Sequence, residues 1–414
     1  MTAPAERRAR RRPRVGLALA GGGPEGAIYE IGALRALDEA IEGFDFNHLD
    51  VYVGVSAGAF IAANLANHLT TAQMCRAIVK DEPGEHPFVP ETFFTPALGE
   101  LMRRGISVPR LFVQSIAEFM RNPRDRSILD SLTNLSRALP VGVFDNEPIR
   151  EYLKGIYALP GRSDDFRELD VPLYVIASEL DSGRAVRFGE PGWDHVPISR
   201  AVQASTALPG LYPPVEIDGG YYVDGVLLKT LHASVALQAG AKLVICVNPI
   251  VPVDLTEPAA VGGMTEEQLV ERGLPTILSQ TFRTLIHSRL AVGMAAYEKR
   301  YVGADVLLIE PSRDDYRMFF TNIFSFSARR DVVAHAYRAT RRDLLQRFDA
   351  VDRILRRHGA RLRRDVLLDP TRDLWRGVGL PELGERRTSS ETLDRLDSAL
   401  DRLARLVGPD PAAP

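Results

Sequence analysis

The chain has 414 residues, of which 45% are hydrophobic and 25% are charged, and its formal net charge is −3. The length indicates one large α/β domain with insertions or with a helical appendage. The composition is that of a soluble globular protein, and the net charge gives no support to nucleic-acid binding.

The chain begins with a basic arm, in which residues 7–14 include six arginines. Residues 1–13 are predicted to be disordered and solvated, with contact to an anionic membrane as the alternative. The apolar stretch over residues 15–20 is interrupted by Gly16 and runs into a glycine loop, so we expect no signal peptide. Since no apolar run reaches the ~18 residues of a membrane-spanning helix, we expect none.

The two cysteines, Cys75 and Cys246, are far apart in sequence and show no metal-ligand spacing. This usage favours a reducing compartment. We therefore expect a cytoplasmic protein, with peripheral contact to a membrane as an open possibility.

Residues 15–20 are predicted to form the first strand, and Gly21-Gly-Gly-Pro-Glu-Gly26 leads from it into a helix over about residues 27–42. The loop formally fits G-x-G-x-x-G, the phosphate-binding pattern of dinucleotide enzymes. That function requires an acidic residue at the end of the second strand, whereas Asp45 and Asp50 precede that strand. A nucleotide-dependent oxidoreductase is therefore kept only as a third hypothesis.

The other interpretation of this loop is an oxyanion hole. Successive glycines leave backbone N–H groups accessible above the sheet, where they can stabilise a developing alkoxide. Gly22 and Gly23 can donate such hydrogen bonds, whereas Pro24 has no N–H group.

The second strand is predicted over residues 51–55 and is followed at once by an alanine-rich helix over residues 57–66. Between them, Gly54-x-Ser56-x-Gly58 fits the nucleophile elbow, a sharp strand-to-helix turn that glycines permit. The new helix places its free N–H groups and positive dipole end beneath the Ser56 hydroxyl. Ser56 is the predicted nucleophile, and a serine in an ordinary β–α loop is the alternative.

The middle of the chain continues the α/β pattern. A helix is predicted over residues 71–80, and residues 81–145 are predicted to form a helical insertion, either part of the core or an apolar cap over the site. Asn146-Glu-Pro-Ile is expected to open the next helix, because proline suits a first turn. A strand over residues 172–177 is expected to pair with residues 184–188 as a hairpin, and a further helix to begin at Ile198.

Two short strands flank Asp218-Gly-Gly220, which makes Asp218 most simply a hairpin-turn residue. Asp224 ends the second of these strands just before Gly225, where its carboxylate can face the site. A helix over residues 231–239 and a strand over residues 243–247 follow. His232 is the histidine closest in sequence to Asp224, so a Ser–Asp–His triad that uses His232 is an alternative hypothesis.

Residues 251–370 are predicted to form a helical extension packed on the core. It contains a long helix over residues 276–298, a strand over residues 304–309 and a helical segment over residues 327–363. Residues 371–414 are predicted to form a polar tail with a terminal amphipathic helix over about residues 390–406. The leucines of that helix could dock on the domain or on a second chain, so a homo-oligomer is left open.

Four motifs resemble those of the patatin-like phospholipases and occur in the same order. They are Gly21-Gly-Gly-Pro-Glu-Gly26, Gly54-Val-Ser-Ala-Gly58, Ala204-Ser-Thr-Ala-Leu-Pro209 and Tyr222-Val-Asp224-Gly225. The resemblance covers roughly residues 14–250. It implies a three-layer α/β fold in which a mostly parallel sheet is flanked by helices.

The resemblance also implies the chemistry of the site. Ser56 would be the nucleophile and Asp224 the base of a Ser–Asp dyad, and the substrates would be lipid acyl esters. The implied oxyanion hole consists of Gly21, Gly22 and Gly23. The glycines implied to support the site are Gly26, Gly54, Gly58 and Gly225. No cofactor, metal or nucleic acid is expected.

Three positions depart from the family pattern. Val226 stands where the family usually has Gly or Ala, and Lys229-Thr-Leu-His232 replaces a common Asn-x-Pro. Glu25 stands where Arg or Lys is usual. We expect Glu25 to face solvent on the first turn of its helix, where the dipole favours an acid. If it instead points into the oxyanion hole, a catalytically silent lipid-binding or scaffold protein becomes the main alternative.

Overall fold

The computed structural model describes residues 14–79, 95–96, 141–252, 271, 273–312 and 326–380. The basic arm, most of the predicted insertion and the terminal amphipathic helix lie outside these residues. The chain divides into two compact units, Met1–Asp369 and Pro370–Pro414.

The described part of the first unit contains twelve strands. In chain order they are β1 Val15–Leu19, β2 Ile41–Glu42, β3 Val51–Val55, β4 Thr95–Pro96, β5 Phe144–Asp145, β6 Leu173–Glu179, β7 Ala185–Phe188, β8 Val215–Ile217, β9 Gly220–Asp224, β10 Leu243–Val247, β11 Asp305–Ile309 and β12 Arg361–Leu362.

Helices alternate with most of these strands. In chain order they are α1 Gly23–Ala40, α2 Ala57–Ala66, α3 Thr71–Val79, α4 Glu147–Tyr157, α5 Ile198–Ser205, α6 Ala233–Gln238, α7 Leu274–Arg300, α8 Phe326–Gln346, α9 Phe348–Arg357 and α10 Arg364–Leu368. The described part of the second unit contains one short helix, α11 Leu374–Gly377.

An eight-stranded sheet forms the centre of the first unit, in the order β11-β10-β1-β3-β6-β9-β8, with β7 paired to β6. The pairs from β11 to β6 are parallel, whereas β7, β8 and β9 add antiparallel pairs. Strands β1, β3 and β10 are buried along their whole length, as expected for parallel strands covered on both faces.

Helices cover the two faces of this sheet in separate layers. On one face, α6 and the Leu290–Tyr297 part of α7 pack on alternate residues of the parallel strands, such as Val53 and Val244. On the other face, α2 packs on β1, β3 and β6, α1 packs against α2, and α8 packs against α1. The contact of α1 with α8 is tight at Gly32, where a Cβ would lie 2.4 Å from a backbone oxygen of α8. The result is the predicted three-layer α/β arrangement.

The element boundaries differ from the sequence-based expectations in three places. Helix α1 begins at Gly23 rather than near residue 27, because Pro24 fits the first turn of a helix. Strand β11 is hydrogen-bonded into the main sheet through β10, so the sheet continues beyond residue 250. The helical segment over residues 327–363 is divided into α8 and α9 and ends at β12, which pairs with β2.

Candidate active site

Ser56 lies at the turn between β3 and α2, with a strained backbone at φ 54° and ψ −124°. Non-glycine residues rarely adopt this left-handed region, and such strain persists only where the surroundings enforce it. Here the backbone N–H of Ser56 donates to the Oγ atom of Ser205, 2.8 Å away. Ser56 as a whole is only 6% exposed.

The glycines on either side of Ser56 are required by close backbone approach. A Cβ at Gly54 would lie 2.4 Å from the Cα of Ala59, and a Cβ at Gly58 would lie 2.5 Å from the carbonyl oxygen of Ala20. The N–H of Gly58 donates to that same oxygen at 3.0 Å. The elbow is therefore fixed to the last residue before the glycine loop.

The register of the sheet explains how Asp224 reaches Ser56. Strand β7 pairs with one edge of β6. Strands β3 and β9 both pair with the opposite edge, β3 along its first part and β9 along its last part. Strand β3 ends at Val55 opposite Ile176, and β9 ends at Asp224 opposite the next residue of β6. The two strands therefore meet end to end, which places Asp224 beside Ser56, the residue that follows β3.

Asp224 is 2% exposed. Its Oδ1 atom accepts a hydrogen bond from the N–H of Val226 at 2.9 Å, and its own N–H donates to the carbonyl of Ala207 at 2.9 Å. Burial raises the pKa of Asp224 to about 7, against the hydrogen bonds from Val226 and Ser56, which lower it. A carboxylate with such a pKa is a far better proton acceptor than an exposed aspartate.

The glycine loop lies directly beside the serine. A Cβ at Gly21 would be 3.1 Å from the Cβ of Ser56 and 3.1 Å from a methyl group of Val226, and a Cβ at Gly22 would be 2.7 Å from Pro249. Gly23 has φ +61° and begins α1. Among the described residues, no backbone hydrogen bond outside the helices and strands has Gly22 or Gly23 as its donor.

Glu25 does not face solvent, which corrects the expectation from the sequence. Its side chain is 20% exposed, and its Oε2 atom lies 3.9 Å from Nη2 of Arg283 on α7. Its Oε1 atom is buried without a hydrogen-bond partner among the described residues. Burial raises the pKa of Glu25 to about 7, and the positive charge of Arg283 opposes that rise. The acid beside the glycine loop is therefore paired with an arginine from another helix.

His232 is not brought into a triad. Its ring is buried beside the backbone of Gly225 and Lys229, and neither Ser56 nor Asp224 is among the groups that shift its pKa. Burial, with Lys229 nearby, lowers the pKa of His232 to about 3, so the imidazole is neutral. The other aspartate considered, Asp218, lies in the hairpin turn at φ 50° and pairs with Nε2 of His195 at 2.8 Å.

Ser205 was not singled out by the sequence analysis, although it lies in the motif Ala204-Ser-Thr-Ala-Leu-Pro209. Its hydroxyl accepts from the N–H of Ser56 and donates to the carbonyl of Ile176 at 2.6 Å. It therefore joins α5, the elbow and β6 in one buried hydrogen-bonded chain. Its place inside a family motif, at the buried end of a helix, was the available signal.

The described residues contain no group of three or more His, Cys, Asp and Glu side chains placed to hold a metal ion. In the same ranges, no helix combines the length and apolar character needed to cross a membrane. Both cysteines are free and buried.

The family model for patatin-like phospholipases matches residues 17–237, which is more than half of the chain and includes the serine, the aspartate and the glycine loop. The chain belongs to the patatin-like phospholipase family. Its fold, a mostly parallel sheet between layers of helices, agrees with that membership.

Curated relatives of this patatin-like protein include uncharacterized NTE family proteins of Mycobacterium bovis and Mycobacterium tuberculosis. Each is 27% identical over 251 residues, which are 60% of this chain and 53% of the relative. The chain thus spans about half the length of the curated relatives it matches.

Two solved structures can be superposed at low similarity. VipD from Legionella pneumophila aligns with a TM-score of 0.37 at 14% identity, covering 82% of this chain and 67% of VipD. The type III effector ExoU aligns with a TM-score of 0.26 at 20% identity, covering 69% of this chain and 53% of ExoU.

Proposed function

We propose that this patatin-like protein hydrolyses acyl esters of lipids, as a phospholipase A or lysophospholipase, with Ser56 as nucleophile and Asp224 as base. The observation that supports the proposal is the end-to-end meeting of β3 and β9, which places the buried residues Ser56 and Asp224 side by side. Serine is a poor nucleophile until a neighbouring base accepts its proton. A desolvated carboxylate with a pKa of about 7 is suited to that role.

The cycle has two halves. Oγ of Ser56 attacks the ester carbonyl carbon while Asp224 takes the hydroxyl proton, and the N–H groups of Gly22 and Gly23 stabilise the oxyanion. Collapse breaks the ester C–O bond, and the leaving alcohol receives the proton from Asp224. A water then attacks the acyl-enzyme with Asp224 as base again, and the fatty acid leaves as the proton returns to Ser56.

The test compares the native chain with Ser56→Ala on a panel of phosphatidylcholine, lysophosphatidylcholine and triacylglycerol, with fluorophosphonate labelling in parallel. We expect the native protein to be labelled and to release fatty acid, and the variant to do neither. Since losing a catalytic dyad member removes several orders of magnitude in rate, residual activity close to native would contradict the proposal.

A triad through His232 is distinguished by His232→Gln, which removes the imidazole while keeping a polar side chain. The dyad predicts that hydrolysis survives when thermal unfolding shows that the variant is folded. A loss as large as that of Ser56→Ala would favour the triad.

A catalytically silent lipid-binding protein is the second candidate, and one observation favours it. Glu25, two residues beyond Gly23, is held beside the glycine loop, where its ionised form opposes negative charge on a bound oxyanion. A folded native protein that binds lipid vesicles but whose Ser56 remains unlabelled by fluorophosphonate would support this candidate over the enzyme.

A further inference from the structure

Helix α7 contacts both halves of the candidate site. At Arg283 it pairs with Glu25, next to the glycine loop. Two turns later, Nη1 of Arg289 donates to the carbonyl of Leu227 at 2.9 Å, in the turn that follows Asp224. Further along, the Lys229 ammonium lies 4.7 Å from the centre of the Tyr297 ring. The turn after Asp224 therefore runs along the side of α7.

The opposite side of α7 is exposed and carries large apolar side chains, with Thr281, Thr284 and Ser288 among them. Leu290 and Tyr297 point into the sheet core, whereas Leu285 is 56% exposed and Val292 is 72% exposed. Ile277, Leu285 and Val292 are spaced by about two helical turns each and so lie along one face. Leu227 and Leu228, in the neighbouring turn, are also exposed. We call these five residues the apolar face.

The charges along α7 are positive except at Glu298, near its end. The sequence contains no Asp or Glu between Glu271 and Glu298, whereas Arg283 and Arg289 lie within that stretch and Lys299 and Arg300 close the helix. Arg289 is exposed and lies between Leu285 and Val292 on the helix surface. An apolar stripe bordered by basic side chains is the pattern of helices that lie in the interface of an anionic membrane.

We propose that the apolar face docks on the surface of an anionic lipid bilayer, with Leu285 and Val292 inserted among the lipids. The turn after Asp224 is part of this face, so docking brings the candidate site to the bilayer. This inference rests on the proposed function only in that lipid hydrolysis explains why the protein would dock on a bilayer. Binding to the bilayer itself requires no catalysis.

The experiment measures co-sedimentation of the full chain carrying Ser56→Ala with vesicles of phosphatidylcholine, or of phosphatidylcholine and phosphatidylglycerol in equal parts. Leu285→Asp is compared with Leu368→Asp, a matched control, because Leu368 is also 56% exposed but lies on α10. We expect the chain with the intact apolar face to bind the anionic vesicles. Binding should fall about tenfold or more in Leu285→Asp, since burying a leucine side chain contributes free energy of that order. It should be unchanged in Leu368→Asp.

Leu285→Met, which keeps an apolar side chain, should restore binding, and matching thermal unfolding of all variants shows that they are folded. Equal binding by Leu285→Asp and the native face, or no binding of the native face to anionic vesicles, would overturn the proposal. So would a protein that is dimeric in sedimentation velocity and becomes monomeric in Leu285→Asp, because the face would then belong to a second copy. Failure of the proposed function appears separately, as absence of Ser56-dependent ester hydrolysis.

Discussion

The carboxyl group of Asp224 must be ionised to accept the proton of Ser56, and burial raises its pKa to about 7. We therefore expect kcat/KM for a soluble short-chain ester to rise about tenfold per pH unit below that pKa and to level off above it. A pH–rate profile of the native chain measures this directly.

Asp224→Asn keeps the shape of the side chain and removes the base. We expect the rate to fall by about 10² to 10⁴ and the rise with pH to disappear, because general-base catalysis contributes on that order. A profile that keeps the same inflection in Asp224→Asn would show that another group is responsible for it.

Glu25 should become inhibitory once it ionises, because its charge then opposes the oxyanion beside it. Its pKa is also raised to about 7, so Glu25→Gln should match the native kcat/KM well below pH 7 and exceed it severalfold well above pH 7. In the variant, the positive charge of Arg283 is no longer opposed by the negative charge of Glu25, which acts in the same direction.

The measurement is the ratio of the two kcat/KM values as a function of pH. A ratio that is constant with pH would mean that the charge of Glu25 is not felt at the reacting carbonyl. A lower rate for Glu25→Gln at every pH would indicate a structural role for the pair with Arg283.

Helix α5 supports the elbow through a single hydroxyl, that of Ser205. In Ser205→Ala the buried N–H of Ser56 loses its acceptor, which should cost about 1–3 kcal/mol of stability. It should also lower kcat, because the strained turn at Ser56 is no longer fixed. Urea unfolding and ester hydrolysis measure the two effects.

Ser199→Ala is the matched control on the same helix. Ser199 is also fully buried, and its hydroxyl donates to Oδ2 of Asp164 at 2.6 Å, away from the elbow. We expect a similar loss of stability with little change in kcat. If both variants lost kcat equally, Ser205 would matter to the fold in general rather than to the nucleophile.

Elements with local signals could be predicted from the sequence, and those that depend on distant partners could not. The strand before Ser56, the hairpin at Asp218 and the opening of α4 at Asn146 follow from short-range patterns and lie where expected. The break between α8 and α9 has no strong local signal, because the apolar positions and arginines continue through it.

The same distinction holds within the site. The motifs placed Ser56, Asp224 and the glycine loop on strand ends, where a parallel sheet brings ligand-binding groups together. The surroundings of Glu25 could not be inferred, because the dipole rule for a first turn takes no account of Arg283, far along the chain on α7. The role of Ser205 depends likewise on a carbonyl of β6.

For the molecule as a whole, buried ionisable groups determine how stability changes between about pH 6.5 and 8. Burial raises the pKa values of Asp224 and Glu25 to about 7 and that of Glu30 well above its usual range. The stabilising contribution of each group is complete below its unfolded-state pKa, near 4, and is lost as the pH rises from there through its folded-state pKa. Above about pH 7, the remaining loss therefore comes mainly from Glu30. The neutral His232 opposes this trend only below its unfolded pKa, ~6.5.

We therefore expect the free energy of unfolding to fall over this pH interval. In Glu30→Gln, whose site is fully buried, it should fall less steeply, by up to about 1.4 kcal/mol per pH unit. Urea titrations of both proteins across the interval provide the comparison. Parallel curves would mean that Glu30 is ionised to the same extent in the folded and unfolded chains.

The contact between Gly22 and Pro249 affects the order in which the parts of the candidate site can assemble while the chain is being synthesised. Strands β3, β6 and β9, which bring Ser56 and Asp224 together, all leave the ribosome before β10, and Pro249 follows β10. Until β10 pairs with β1, the glycine loop lacks its contact with Pro249, and β1 is an unpaired edge of the sheet. A nascent chain can thus assemble its dyad before its oxyanion hole. We expect ribosome-arrested chains to react with fluorophosphonate only once β10 has emerged, which would delay any lipid hydrolysis until the sheet is nearly complete.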